Sequence, residues 1–590
     1  MQSKYLKLIN NHEACLKKNN SIFNIVGYIK LILIPSLGVS IYSTVFNGFS
    51  TWLVLMSMIL LTVLIGLWTY HIKLHEKINC LNGLIAINKR HIARITGEWT
   101  AFEDIGAEFI DTEHAYGCDL DIVGHKSVFQ FINTTNTWHG RQAFAADLLH
   151  PAYTREDLQK RQAAVSELSK DIEASNYLQY QLSKIGVNDS IVKLLNELQD
   201  KKSLFSHKSI KLLLTYIPLV TFIFIAGMLI FQLESLYAIG AALAAIQAVI
   251  WIAGMLKTQR YLGTMAHLPY RLNAYSDAIE LVTSKDYTSE KLAQIKELLE
   301  AAAQAIKELG KISEKINVKH NAIIWFVLNV LLLWDYECAF ILEGWKAKHS
   351  DLSNKWFLAL GEFESLLSLS NLPNVCNNTC LPAITGTDKA IDAKALGHPL
   401  LSNEIRVNND FTCRNNIFII SGSNMSGKTT FLRTVGVNMV LANTGGFVCA
   451  NQMNFIPLKI ITSMRIADDL NQGVSTFYAE LKRIKSIIEL AKNEPDMIFL
   501  IDEIFRGTNS ADRLTGTKTV MVKLHELNAA GLISTHDLEL CELANEYAQI
   551  ENYSFSEYYK DGKIFFDYKI RPGISNVTNA KYLMEMVGII

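Results

Sequence analysis

The eight residues Gly422-Ser-Asn-Met-Ser-Gly427-Lys428-Thr429 constrain this chain more than any other stretch. They follow an apolar, largely β-branched run, Ile417–Ile420, and lead into a helix-forming segment at Thr430-Phe431-Leu432. A glycine-bracketed turn between strand and helix is a Walker A loop: backbone N–H groups turn inward around phosphates, and the helix N-terminus adds a favourable dipole. Lys428 is expected to bridge the β- and γ-phosphates, and the Thr429 hydroxyl to ligate Mg²⁺. Gly422, Asn424, Met425, Ser426, Gly427 and Thr430 make up the rest of the expected nucleotide cradle. ATP and Mg²⁺ are thus the predicted ligands.

A second motif supports the first. Met497-Ile-Phe-Leu-Ile501-Asp502-Glu503 is an apolar strand ending in two carboxylates, the pattern of a Walker B. Asp502 is expected to hold Mg²⁺ through water, and Glu503 to orient or deprotonate the attacking water. After the next strand, Leu532–Ser534, comes Thr535-His536. A histidine at such a strand end can reach a γ-phosphate; its position alone fits an ordinary loop histidine equally well. From about residue 372 onward, short β-branched runs alternate with helical stretches, which predicts an α/β unit around a central sheet.

The remainder reads as helix. Four apolar stretches look like membrane spans in two hairpins: Ile22–Phe46, broken by Lys30 and Pro35, then Trp52–Tyr70, Leu212–Phe231 and Leu236–Leu256. The last three offer roughly 20 uncharged residues each, enough for a hydrocarbon core of about 30 Å. The turns Asn47–Thr51 and Gln232–Ser235 lack Lys and Arg. Lys4, Lys7, Lys17, Lys18, Lys73, Lys77, Lys89 and Arg90 flank the first pair; Lys201, Lys202, Lys208, Lys211, Lys257 and Arg260 flank the second. The positive-inside bias predicts a multi-pass protein of the cell membrane with its large segments in the cytoplasm. The first stretch lacks a small-residue cleavage site and pairs at once with another, so no cleaved signal peptide is expected. A fifth stretch, Ile323–Trp334, is only about a dozen residues long and runs into Asp335 and Glu337, which predicts a buried core helix instead.

Composition trims the alternatives. A formal net charge of −1 argues against a protein that coats nucleic acid through charge alone. Cys376 and Cys380 form a lone C-x3-C without a second pair, so no zinc site is expected; the scattered cysteines suit reduced thiols facing the cytosol. His71 and His75, at i and i+4, are read as a helix end at the membrane surface. Arg155–Ala174 and Ser289–Leu309 show helical apolar spacing, predicting long helical arms. The expected organisation is a membrane hairpin segment over 1–98, a helical core and lever over 99–210 and 258–372, a second hairpin over 211–257, and the α/β unit over 373–590.

Together these motifs resemble the ATPase domain of the MutS family. The loop keeps that family's Asn424-Met425, with Ser423 and Ser426 where Pro and Gly are usual. Asp468-Asp469-Leu470 and Gly473-Val474-Ser475-Thr476-Phe477 look like its signature segment. Asp502-Glu503-Ile504 with Arg506-Gly507-Thr508 resembles its extended Walker B, and Thr535-His536 its histidine switch. The tail Asp567-Tyr568-Lys569, Arg571-Pro572-Gly573 and Asn579 to Val587-Gly588 is similar to its C-terminal close. Upstream, Asn136-Thr137, Gly140-Arg141, Leu148-Leu149-His150-Pro151 and Arg161-Gln162-Ala163-Ala164-Val165 resemble the start of its helical core and lever. The resemblance covers roughly 115–210 and 258–590.

It implies a homodimer in which Ser475 acts in trans at the partner's γ-phosphate, Glu503 and His536 serve catalysis, and DNA is a partner by family analogy. The chain departs from the family in two places. The first hundred residues leave no room for a mismatch-reading domain, and the second hairpin stands where relatives insert a DNA-gripping clamp. The leading expectation is therefore a membrane-anchored ATPase whose turnover moves helical arms. An ABC-type transporter is the second reading, against which stands the missing Leu-Ser-Gly-Gly-Gln signature. A nucleotide-switched membrane scaffold is the third.

Overall fold

The computed structural model describes the chain apart from residues 47–49, 188, 200–207, 232–233, 387–389, 415, 424, 466–475, 506–508, 561–562 and 575–590. Helices fill the first two thirds and an α/β unit the last third. The chain opens with two antiparallel helices, Gln2–Phe46 and Thr51–Thr96, of 45 and 46 residues. Both apolar stretches of the first expected hairpin lie within them, and both helices run well past the apolar limit on the side away from the turn. Thr51–Thr96 continues past Tyr70 and buries Leu74, Ile78, Leu81, Ile85, Asn88, His91 and Arg94, a stripe at helical spacing against the helical body. Arg94 donates to Phe131 O (2.6 Å) and Asn133 O (2.8 Å), and His91 Nε2 meets Asn176 Oδ1 at 3.1 Å. His71 is therefore mid-helix and not at a helix end, stacked on Phe23 and 2.8 Å from Lys30 Nζ.

Among the described residues three helices are long and apolar enough to cross a membrane: Gln2–Phe46, Thr51–Thr96 and Tyr237–Leu262. Four had been expected. The remaining stretch lies in the helix Lys208–Phe231, whose described apolar part, Lys211–Gly227, is shorter. It pairs with Glu234–Leu262 through Gln247 Nε2 donating to Thr221 Oγ1 at 2.7 Å. The fifth stretch corrects its expectation. Ala322–Leu332 is a helix, but most of its large apolar side chains are exposed rather than in a core. Its neighbours, Glu234–Leu262 foremost, cover one side of it and leave the other open.

The helical body centres on Trp334–Leu369, which lies alongside Trp138–Leu149 and Glu290–Asn317. Gly361 lets it approach the His139 backbone, where a Cβ would stand 2.8 Å from the carbonyl. The expected arm from Arg155 breaks at Asp171, whose side chain caps the next helix, Ile172–Ser183.

The α/β unit holds a six-stranded sheet in the order Lys563–Pro572, Ile550–Lys560, Ile417–Ser421, Ala530–Thr535, Met497–Asp502, Lys459–Ser463. All neighbours run parallel except the first pair. Ile417–Ser421, Ala530–Thr535 and Met497–Asp502 are buried throughout, as a sheet covered on both faces requires. Alternation divides their side chains. Phe418 and Ile420 join the core shared with the helical body, while Ile417 and Ile419 join a second core under Thr476–Asn493 and Ser510–Glu526. A smaller four-stranded sheet, ordered Ala383–Ile384, Gln452–Phe455, Ile391–Leu396, Asn409–Cys413, flanks the first.

Candidate active site

Strand register brings the chemistry to one edge. Ser421 pairs with Thr535, and Asp502 pairs with Ser534, so Gly422, Glu503 and His536 all leave the sheet at the same level. Gly422 sits at φ 148°, and a Cβ there would lie 2.9 Å from Phe555 O. Gly427, at φ 106°, caps the helix Lys428–Asn443. Only glycine fits both positions without strain. Met425 (φ 70°) and Glu503 (φ 57°) adopt the left-handed region despite their side chains, a conformation that clusters at functional loops.

Lys428 is buried and donates to Gly422 O (2.8 Å) and Ser423 O (3.0 Å), with His536 Nε2 at 3.4 Å. Thr429 Oγ1 donates to Asp502 Oδ2 at 2.9 Å, and the Ser534 hydroxyl donates to the other carboxylate oxygen. Glu503 Oε1 meets His536 Nε2 at 2.5 Å. Lys428, Thr429, Asp502, Glu503 and His536 thus form one connected group. Thr430 and Met425 line the same cavity, Met425 with its side chain largely exposed. Asn424 and Ser475 lie outside the described residues.

One hydroxyl and one carboxylate form a sparse metal site, but one that suits Mg²⁺, which keeps several waters and takes further oxygens from phosphate. The buried Ser426 Oγ has no hydrogen-bond partner among the described residues. A polar atom left so, in a loop that opens a helix N-terminus, fits an anion seated there.

Beside the loop opens a cavity of about 760 Å³. Its far wall comes from Leu401, Ile405, His398 and Tyr568, apolar and aromatic surfaces of the kind that hold a base. Tyr568 covers the loop: a Cβ on Gly427 would be 3.0 Å from its ring. Asn409 fixes that strand, donating to Tyr568 O (3.0 Å) and accepting from Ile570 N (3.0 Å). Burial, with Arg433 and Arg406 adding to it, pushes the His398 imidazole down to about 3, so this wall is neutral at ordinary pH. On the other side Arg513 grips Asp537 through Nε (2.9 Å), and that hydrogen bond raises the guanidinium further. Sequence reasoning missed Ser534, His398, Tyr568 and the Arg513–Asp537 pair. A serine within the apolar run Gly531-Leu-Ile-Ser534 was the available signal for the first.

Two connections leave the site. Asp119, upstream of the helical body, accepts from Thr462 Oγ1 (2.6 Å), Met464 N (3.1 Å) and Arg465 N (2.9 Å). At the far end of the helix Lys428–Asn443, Arg161 Nε donates to Thr444 O (2.8 Å) while its other nitrogens pair with Asp147 and Glu362. Arg161 is fully buried, so this ion pair is a structural weld.

Residues 418–589 match the family model MutS domain V. The DNA mismatch repair protein MutS of Chloroflexus aurantiacus is 30% identical over 200 residues, covering 33% of this chain and 20% of that protein. That of Lysinibacillus sphaericus is 30% identical over 241 residues, 39% of this chain and 27% of its own length. That of Lactobacillus acidophilus is 28% identical over 222 residues, 36% and 26% respectively. The chain thus matches between a fifth and just over a quarter of the length of these relatives. Over residues 418–589 the chain carries a domain similar to domain V of the MutS family.

Proposed function

We propose that the protein is a membrane-anchored, Mg²⁺-dependent ATPase that converts ATP hydrolysis into movement of its helical arms. The observation that carries this reading is the contact of Thr429 Oγ1 with Asp502 Oδ2 at 2.9 Å beneath the P-loop, with the Glu503–His536 pair alongside. Thr429 and Asp502 would hold the metal, which neutralises charge on the β- and γ-phosphates when bound. Lys428 moves its ammonium from the loop carbonyls to the phosphates. Glu503 accepts a proton from the attacking water, and His536 holds that carboxylate in place. The wall of His398, Leu401 and Tyr568 receives the base.

A second copy of the chain completes the site with Ser475, so each protomer serves the other. The apolar helices Gln2–Phe46, Thr51–Thr96 and Tyr237–Leu262 support anchoring in the cell membrane, with the α/β unit in the cytoplasm. The relatives are named as DNA mismatch repair proteins, which makes DNA the first partner to test. The experiment is the ATPase rate of nanodisc-held protein with no DNA and with homoduplex, mismatched and branched DNA. Stimulation by one of these structures is expected. A flat response with intact basal turnover removes DNA from the reading; absence of Mg²⁺-dependent turnover removes the ATPase itself.

A further inference from the structure

The helix Ala322–Leu332 has the sequence Ala-Ile-Ile-Trp-Phe-Val-Leu-Asn-Val-Leu-Leu, without a charge. It exposes Ile323, Ile324, Phe326, Val327, Leu331 and Leu332, with Ile323 at 77%. A contiguous apolar patch of this kind marks an interaction surface. The polar groups point the opposite way. Asn329 is fully buried, donating to Trp325 O (2.9 Å) and accepting from Asp335 N (3.0 Å). The Asp335 carboxylate accepts from Trp325 Nε1 (2.9 Å) and Trp251 Nε1 (3.4 Å). The inner side is polar and satisfied while the outer side is hydrocarbon. That is the inverse of a helix facing water and suits one facing lipid, where every polar group needs a partner inside the protein.

Length and neighbours narrow its place. At 1.5 Å per residue the helix is about 16 Å long, half the hydrocarbon thickness of about 30 Å, so it is too short to cross the bilayer. It rests on Glu234–Leu262, where Trp251 meets Trp325 edge-on at 5.0 Å and Tyr336 Oη donates to Ile250 O (3.1 Å). Lys257 and Arg260 follow on that neighbour, and Lys315, Lys319 and His320 precede the short helix. Trp334 Nε1 donates to Lys315 O (3.0 Å). Tryptophans and cations in one band are what the membrane–water interface collects.

We propose that Ala322–Leu332 is an interfacial membrane helix, lying in the cytoplasmic leaflet with Ile323, Phe326 and Val327 among the acyl chains and its tryptophans at headgroup depth. This rests on the reading of Tyr237–Leu262 as a membrane span. At Leu333, in the left-handed region, the chain bends by 79° into Trp334–Leu369. That helix carries Ser365, which donates to Asp147 in the Arg161 weld. The bilayer surface and the far end of the P-loop helix are thereby joined through one rigid element.

The test places p-benzoylphenylalanine singly at positions 249, 298 and 323 of the full chain in phosphatidylcholine–phosphatidylglycerol nanodiscs, followed by illumination and mass spectrometry of the adducts. Val249 is exposed on the proposed span, and Leu298 is an exposed apolar residue on Glu290–Asn317. Lipid adducts at 249 and 323 with none at 298 are expected. Adducts at 249 alone overturn the proposal and leave the span standing. So do adducts at 323 to a second copy of the chain, or lipid adducts at 298 as abundant as at 323. An absence of lipid adducts at both 249 and 323 overturns the membrane reading itself.

Discussion

Lys428 turns its ammonium back onto the loop that carries it, and this self-contact is what a phosphate must displace. Replacing it with alanine removes a charge-assisted partner, so Lys428→Ala should bind ATP at least about tenfold more weakly by fluorescent-nucleotide titration. Glu503→Gln keeps the shape and loses the base; it should bind ATP normally and hydrolyse it roughly 100-fold more slowly in a phosphate-release assay. Ser534→Ala removes the hydroxyl that donates to Asp502 Oδ1 and should weaken Mg²⁺ activation roughly tenfold, as orienting partners do. The primary motifs were legible because phosphate chemistry demands particular residues at particular spacing. Ser534, His398 and Tyr568 were not, since each acts through register or folding-back of strands far apart in sequence.

The helix Lys428–Asn443 starts at the phosphate cradle and ends at the Arg161 weld, so its two ends report to different parts of the protein. Arg161→Met leaves the Asp147 carboxylate buried without its cation, and chemical denaturation should register a loss of about 3–5 kcal/mol. Glu364, on Trp334–Leu369, accepts from Asn136 N (2.7 Å) and from Thr137, the residue that caps Trp138–Leu149. Burial raises its carboxyl from 4.5 to about 7. The folded state then holds a proton that the unfolded state releases first, so Glu364 contributes less stability as pH rises between these values. The melting-temperature gap between wild type and Glu364→Gln should shift in the variant's favour across that window. Helix periodicity was readable here, and Arg155–Lys170 starts at the residue where its pattern begins. Ala322–Leu332 was misread as core because an apolar run states what it avoids, water, and not whether protein or lipid replaces it.

At the scale of the molecule the dimer reading makes the sharpest demand. Ser475→Arg and Lys428→Ala proteins, each inactive alone, should regain partial ATPase activity when mixed, because one kind of site in the mixed dimer has both intact residues. No recovery across mixing ratios, with dimers verified by light scattering, would count against a shared site. That a helical region precedes an α/β domain was readable from the sequence pattern, whereas the way they interlock was not. Asp119 and Arg161 reach the α/β unit across hundreds of residues, and such pairings leave no local periodicity. The helix Thr51–Thr96 has a related consequence. It runs unbroken from its apolar half to Arg94, whose guanidinium is fixed to two backbone carbonyls of the helical body. A flexible leash would let the enzyme tumble beneath its anchor. On the proposed membrane reading a splint of this kind denies it that freedom: any tilt of the body would have to be matched by a tilt within the bilayer, and membrane stiffness would become part of the resistance to its movement.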